Sequence, residues 1–384
     1  MKRILFITPQ PWFQWRGSPI RVGFNVHALS ELGYDVDLLT LPFGEDRTVP
    51  GVRVLRVGNF LGRADIPIGP SVWKIFFDAK LWAQARRLIR EKPYDVIHAV
   101  EDAGVIAVSL ARQSQAKLVF EKHSDPRSYR KGLLRNAVLW AYEKAEAYAI
   151  RHADAVIGTG PGLVEQALAV APDKPVHHIF DIPSSLAEPD PAAVQNWETR
   201  LRQHPDETQV TYVGSFAVYQ GIELLFDCIP LVLQKAPHVR FVIIGGTPEE
   251  IKTRQARLRS VGAENAVTFL GKIPPDELPS ALAASDILLS TRIAGTNTPL
   301  KLLDYLKVGR AIVATDNEAN RQILTDEMAV FAPPEPDAFA QAIAQLAGDK
   351  TRRENMGAHG RRVIDSLYNY TEFKRRLQEV YRHL

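Results

Sequence analysis

Arg292 and Lys301 flank a short loop within the stretch SDILLSTRIAGTNTPLKLLDYLKVGRAIVATD, residues 285–316. Thr298 and Pro299 read as a helix start, a hydroxyl cap followed by proline at the first helical position. That places Lys301 in the first turn, where the macrodipole disfavours a cation by about 0.3–1 kcal/mol. Two cations beside the free N–H groups of a helix N-terminus make an anion site, and the usual anion is a phosphate. The competing reading sends Lys301 into solvent and pairs Arg292 with a nearby acid.

In open parallel sheets the ligand lies outside the carboxyl ends of the strands, so the residues after each strand are the candidate site. After the first strand come Trp12, Phe13, Trp15, Arg16 and Gly17; after Asp95–Ala99 come Glu101 and Asp102. His123 follows the Lys117–Glu121 strand, between Lys122 and Asp125, and reads either as a ligand contact or as a structural histidine. The second half supplies Gly214, Ser215, Gln220 and Gly221, then Gly245–Gly246, then Gly271 and Lys272, then the loop 291–301 with Thr296, Asn297 and Thr298. Gly17 and Gly245–Gly246 would let backbone amides approach a ligand closely, the alternative being tight turns alone. Two such clusters, one per domain and facing across a cleft, suit a two-part ligand such as a sugar nucleotide.

The elements that must position these residues alternate along the chain. Ile287–Leu289 is a buried strand; Leu302, Leu303 and Leu306 stripe a helix that ends at Gly309; Ala311–Thr315 is the next strand. Two buried strands joined by a helix form a parallel, right-handed crossover. The same alternation runs from Arg3 to Phe180 and resumes at Val210, which predicts an α/β protein with two Rossmann-like domains. Residues 184–207, rich in proline and charge, read as the connection, with at most one helical turn. The division expected is residues 1–184 with 368–384, and 185–367.

Bulk properties exclude several classes. With 384 residues, 46% of them hydrophobic and 24% charged, the chain has room for two cores and is neither disordered nor a coiled coil. A net charge of +3 is too weak to argue for nucleic acid. The single cysteine, Cys228, leaves no internal disulfide and fits a reducing, cytoplasmic compartment. MKRILFIT is too short an apolar run for a signal peptide, and no segment reaches the roughly 20 apolar residues of a membrane span. There is no GxGxxG opening a half, P-loop, HExxH or CxxC. Asp35–Val36–Asp37 has the form of a metal-binding DxD but opens a strand, and reads as a solvated turn; no metal site is assigned.

These residues also carry a family likeness. Val213–Gly214 with Gly221, Phe241–Gly245, Val267–Gly271, Asp286–Asp316 and the strand end at His123 resemble the retaining GT-B glycosyltransferases called group 1, or family 4, over nearly the whole chain. The resemblance implies a C-terminal domain that binds a nucleotide-diphosphate sugar, an N-terminal domain that binds the acceptor, and a last helix that returns to the N-terminal domain. The family signature is E-x7-E. Its second glutamate aligns with Asp304, implied to reach the ribose hydroxyls, and its first with Thr296, a departure that leaves sugar contact to Thr296, Asn297 or backbone amides. The arginine and lysine that the family places on the first C-terminal strand end align with Ser215 and Gln220. Arg292 and Lys301 would replace both charges from the facing loop, as in a sub-group carrying R-x-x-G-T-N-T-P-L-K.

The activity implied is transfer of a sugar from a nucleotide-diphosphate sugar to a hydroxyl of a glycan or lipid-linked acceptor, with retention. No cofactor and no metal are needed, because Arg292, Lys301 and the helix amides meet the charge on the departing diphosphate. His123 would contact the donor sugar or the acceptor hydroxyl; Trp12, Trp15, Arg16, Glu101 and Asp125 form the acceptor side. Val72–Arg90, which interleaves Trp73, Phe76 and Phe77 with Lys74, Lys80, Arg87 and Arg90, reads either as a packed helix with a basic edge or as an interfacial helix on the inner face of a membrane. Two alternatives share the fold: a non-catalytic sugar-nucleotide-binding protein and a sugar-nucleotide epimerase. Turnover separates the first of these from a transferase, and acceptor dependence separates the second.

Overall fold

The computed structural model describes residues 1–15, 17–59, 62–63, 65, 72–125, 133–294 and 299–384; the expectations for Arg16, Thr296, Asn297 and Thr298 fall outside them. The first half runs β1 (Arg3–Pro11), α1 (Gly17–Glu31), β2 (Asp35–Leu41), β3 (Val52–Arg56), α2 (Val72–Glu91), β4 (Val96–Val100), α3 (Ala103–Ser114), β5 (Lys117–Lys122), α4 (Leu133–His152), β6 (Ala155–Gly158), α5 (Pro161–Val170) and β7 (Val176–His178). These strands make one parallel sheet in the order β3-β2-β1-β4-β5-β6-β7. Leu5, Ile7, Leu39, Ile97 and Phe120 fill one face with Phe77 and Leu81 of α2 and Ala107 and Leu110 of α3.

The second half runs α6 (Pro191–Leu201), β8 (Thr208–Val213), α7 (Ile222–Lys235), β9 (Val239–Ile244), α8 (Pro248–Ser260), β10 (Val267–Gly271), α9 (Leu278–Ala283), β11 (Ile287–Ser290), α10 (Leu300–Lys307), β12 (Ala311–Thr315), α11 (Glu318–Arg321), β13 (Ala329–Ala332), α12 (Pro336–Ala347) and α13 (Lys350–Ser366), and the chain closes with α14 (Tyr370–Arg382). Its sheet has the order β10-β9-β8-β11-β12-β13, again all parallel. Both sheets are therefore Rossmann-like, and in each the strand order reverses at one point, β1/β4 in the first and β8/β11 in the second.

The chain divides into Met1–Asp181 with Tyr370–Leu384, and Ile182–Asn369. The segment expected to be a connection with at most one helical turn contains the whole of α6. Asp190 caps it through Ala193 N–H at 2.8 Å, and Trp197 and Leu201 bury against Val242, Ile244 and Ala281. Proline sits at the first helical turn, where its missing N–H is harmless, so the prolines that suggested a linker mark a helix start. Asp35 and Asp37, the DxD-like pair, are held by Arg3 at 2.9 Å and by Arg53 at 2.5 Å.

α14 belongs to the first unit. Phe373, Leu377 and Tyr381 are buried on one face, as their spacing predicts. The Tyr381 hydroxyl meets His98 Nδ1 at 2.7 Å in the core of β4. Tyr381→Phe strips a buried imidazole of that partner and should cost about 1–3 kcal/mol; denaturant unfolding followed at the first unit checks it, and an unchanged midpoint would contradict the assignment.

Candidate active site

The second unit's strand order reverses between β8 and β11, and the chain brings Lys301 to that point. α10 starts one residue later than expected: Pro299 takes the cap position, with extended backbone, in place of Thr298. Leu302, Leu303 and Leu306 pin the helix to the sheet, and Gly309 closes it with φ +66°. On the opposite side of the first turn, the Lys301 ammonium lies 3.4 Å from the carbonyl oxygen of Val213 and 3.3 Å from Gln220 Oε1, over the Tyr212 ring at 4.7 Å. Burial, and then the nearby Arg292 guanidinium, lower its pKa to about 7. The solvated-lysine reading is excluded, and no carboxylate of the described residues contributes to holding this cation.

Arg292 is itself only 8% exposed. Its Nε donates to the Ala294 carbonyl at 2.8 Å, and the guanidinium lies 5.9 Å from the Tyr219 ring centre. Its backbone carbonyl is gripped by the hydroxyl of Thr315 and by Asn317 Nδ2. Thr291 donates to the Gln220 carbonyl at 2.7 Å, and Asn320 ties Ser290 to Thr315. Gln220, where the resemblance implies a lysine, is thus the residue that receives the Lys301 ammonium. Ser215 and Lys272 are exposed.

The glycines act differently from the expectation. A Cβ on Gly245 would stand 2.0 Å from the Gly214 carbonyl oxygen, and one on Gly221 would stand 1.8 Å from that of Thr291. The Gly214 N–H donates to Ile244 and the Gly245 N–H to Gly271, so these amides are spent on neighbouring strand ends and do not face a ligand. They let the strand ends pack closely. Gly17 is exposed at the start of α1. Asp304 also differs: its two carboxylate oxygens accept from Ser184 N–H at 2.6 Å and Ser184 Oγ at 2.9 Å. Burial raises its pKa to about 6 against those bonds. In this arrangement Asp304 fastens the start of the second unit to α10, and a ribose would have to share or displace that pair.

In the first unit the carboxyl ends of the strands surround Glu121. This fully buried carboxylate accepts from Arg21 Nε at 2.5 Å and Asn25 Nδ2 at 2.7 Å, and meets His98 Nε2 at 2.9 Å. Burial alone would push its pKa up; the Arg21 guanidinium, with His123 and His98, holds it well below the ordinary range. His123 stands at the end of β5 as expected, but its Nε2 lies 3.3 Å from Glu121 Oε1 and its side chain is 6% exposed. The imidazole is turned into this network and not toward solvent.

The described residues expected on the acceptor side make contacts within the first unit. Trp12 is buried and donates its indole N–H to the Arg47 carbonyl at 2.9 Å, because β1 continues to Pro11 and carries the ring into the core. Trp15 is half-buried against Phe13 at 6.0 Å. Glu101, in the left-handed region at φ 52°, accepts from His123 N–H at 2.6 Å and Ser124 Oγ at 2.9 Å, which makes it a brace for the β5 loop and not a free base. Asp125 accepts from Gln166 at 3.0 Å. Arg21, Asn25 and Glu121 were not anticipated. The signal was present: polar residues at i and i+4 within the apolar stripe Ile20, Val22, Val26 and Leu29, and an acid closing the run LVFE.

The chain was compared with known proteins. Residues 17–180 match the model described as glycosyl transferase 4-like domain, and residues 207–349 the model of glycosyl transferases group 1. One subunit of the phosphatidylinositol N-acetylglucosaminyltransferase of Arabidopsis thaliana is 23% identical over 99% of this chain and 81% of that protein. A phosphatidyl-myo-inositol mannosyltransferase of Mycobacterium tuberculosis is 25% identical over 47% of this chain and 49% of its own length. Among solved structures, the sucrose-phosphate synthase of Thermosynechococcus elongatus superposes with a TM-score of 0.80 at 21% identity, covering 100% of this chain and 98% of that one. The Anabaena protein HepE in complex with UDP superposes with a TM-score of 0.75 at 17% identity, over 100% of both chains. Two Rossmann-like units with these two domain models place the chain in the GT-B glycosyltransferase family.

Proposed function

We propose that this glycosyltransferase moves a sugar from a nucleotide-diphosphate sugar to a hydroxyl of a glycan or lipid-linked acceptor, with retention of configuration and without a metal ion. The observation that carries the reading is the Lys301 ammonium, held at the strand-order reversal by neutral oxygens and an aromatic face, beside Arg292. Burying a cation without a counter-charge is costly, and a diphosphate is the group whose charge would remove that cost. HepE, similar in fold, is crystallised with UDP and with UDP-glucose. The plant and mycobacterial relatives are named for transfer to phosphatidylinositol lipids, which favours a lipid-linked acceptor.

In the reaction, the bond between the anomeric carbon and the phosphate oxygen breaks, with oxocarbenium character on the sugar. Lys301 and Arg292 stabilise the charge that develops on the departing diphosphate, which preorganised groups do without reorganisation. The acceptor oxygen forms the new bond to the same carbon, and its proton leaves on a diphosphate oxygen. Thr296 and Asn297, where the family carries its first glutamate, would contact the sugar. The Glu121 network positions the β5 loop and the start of α1.

Two outcomes test this site. Titration calorimetry with UDP, GDP and dTDP identifies the nucleotide, and the matching sugar donor should then release nucleoside diphosphate in the presence of acceptor lipids. Lys301→Ala or Arg292→Ala should lower turnover by about 10²–10³-fold; unchanged donor affinity and turnover in Lys301→Ala would end the phosphate assignment. Nucleotide binding without turnover of any donor would favour the non-catalytic alternative.

Stability gives a second readout. The folded Lys301 pKa, about 7, lies below its ordinary 10.5. Between those values the unfolded chain binds more protons than the folded one, so this residue makes stability rise with pH across that window. Lys301→Met should raise the thermal midpoint by several degrees near neutral pH and flatten that rise, because it removes a buried charge at similar volume. A lower midpoint in Lys301→Met would contradict the buried-cation account.

A further inference from the structure

Glu121 lies in the buried run of β5, level with Val100 of β4, and four polar side chains converge on it. Oε1 accepts from Arg21 Nε at 2.5 Å and lies 3.3 Å from His123 Nε2. Oε2 accepts from Asn25 Nδ2 at 2.7 Å and meets His98 Nε2 at 2.9 Å. Behind them Arg21 Nη1 donates to Asp181 at 3.0 Å, and His98 Nδ1 meets the Tyr381 hydroxyl of α14 at 2.7 Å. Arg21 Nη2, Asn25 Oδ1 and Thr8 Oγ1 are buried with no hydrogen-bond partner among the described residues. Stability alone does not favour such a cluster. Apolar side chains of similar volume often serve as well as a buried ion pair, and unpaired polar atoms add to its cost. Its place beside a histidine at a strand's carboxyl end, where ligands of such sheets lie, supplies another reason for it.

A carboxylate decides which ring nitrogen carries a hydrogen. Against burial, which would raise its pKa, Arg21 and the two histidines hold Glu121 ionised. An ionised carboxylate only accepts, so the nitrogens that face it are the protonated ones. For His98, whose pKa burial lowers, the neutral ring is therefore the Nε2–H form, and its Nδ1 accepts from Tyr381. His123 Nε2 faces the same carboxylate, in contact but not aligned as a hydrogen bond, as catalytic contacts often are before a substrate binds. Glu101 holds the backbone behind the ring, accepting from His123 N–H at 2.6 Å. Nδ1 is the ring nitrogen left without a partner among the described residues.

On the sugar-transfer reading, we propose that Glu121 is a positioning residue. It keeps the hydrogen of the neutral His123 ring on Nε2, so that Nδ1 accepts a hydrogen bond from a substrate hydroxyl. Arg21 and Asn25 hold the carboxylate in place for that task.

The tautomer is read without turnover, so its failure and the failure of the donor site are separable. In the full chain with isotopically labelled histidine, long-range proton–nitrogen spectra above neutral pH should show His123 with Nε2 protonated and Nδ1 bare. Loss of the signals in His123→Asn assigns them. An Nδ1–H form, or a ring averaging between both forms as in free histidine, would overturn the proposal, and this readout needs no Glu121 variant to fold.

Kinetics separates positioning from a purely structural role. With UDP-glucose, UDP-N-acetylglucosamine and GDP-mannose as donors and phosphatidylinositol vesicles as acceptor, Glu121→Gln should lower kcat about tenfold and His123→Ala about 10²-fold. The double variant should be no slower than His123→Ala, because Glu121 acts through the ring. A structural role would multiply the two losses, and that result would overturn the proposal. Affinity for the free nucleoside diphosphate should be the same in all variants. In Glu121→Gln, weaker binding of the intact donor assigns the hydroxyl to the donor sugar, and a raised KM for phosphatidylinositol assigns it to the acceptor. A change in neither would contradict the assignment.

Discussion

The ammonium of the half-buried Lys301 is largely withdrawn from water and set beside a second cation, and much of the second unit is arranged to make that tolerable. Tyr212 offers its ring face, while Val213 and Gln220 offer oxygens at distances near the outer limit of a hydrogen bond. The loop that carries Arg292 is clamped by Thr291, Thr315, Asn317 and Asn320. On the proposed reading such an arrangement is preorganised for an anion, with much of the desolvation already spent.

The first unit answers a similar problem with internal pairing. Arg21 is only 2% exposed, yet Glu121 and Asp181 neutralise it, at 2.5 and 3.0 Å. Breaking that pair would leave an uncompensated buried charge, whereas the Lys301 site lacks a carboxylate among the described residues. Glu121 also ties β5 to His98 and, through Tyr381, to the last helix, so the final residues of the chain complete the first unit's core. The contrast between a cation paired with carboxylates and a cation held by neutral oxygens is what distinguishes the Arg21 network from the candidate site.

Much of this was legible in the sequence. Period and length gave the parallel strands and the helices between them because buried strands and amphipathic helices leave different apolar repeats. Lys301 stood out because a cation in a first helical turn runs against the local electrostatics. What stayed hidden depends on distance across the fold. Nothing local shows that Gln220 will meet Lys301, that Ser184 will occupy Asp304, or that the amides of Gly214 and Gly245 will be consumed by neighbouring strand ends. Trp12 misled because loop tryptophans and core tryptophans look alike until the strand's end is known. β13 escaped notice as a short mixed run, and α6 was expected as at most one helical turn, behind prolines that introduce a helix instead of preventing one.

If the buried Lys301 is largely neutral in the free protein above its pKa of about 7, a diphosphate must bring its proton back. Calorimetric titration with the sugar nucleotide in two buffers of different ionisation enthalpy, about one pH unit above that value, counts the protons directly. The account predicts uptake of close to one proton per donor bound by the parent protein and none by Lys301→Met. Equal proton uptake by the two proteins, or none by either, would contradict it.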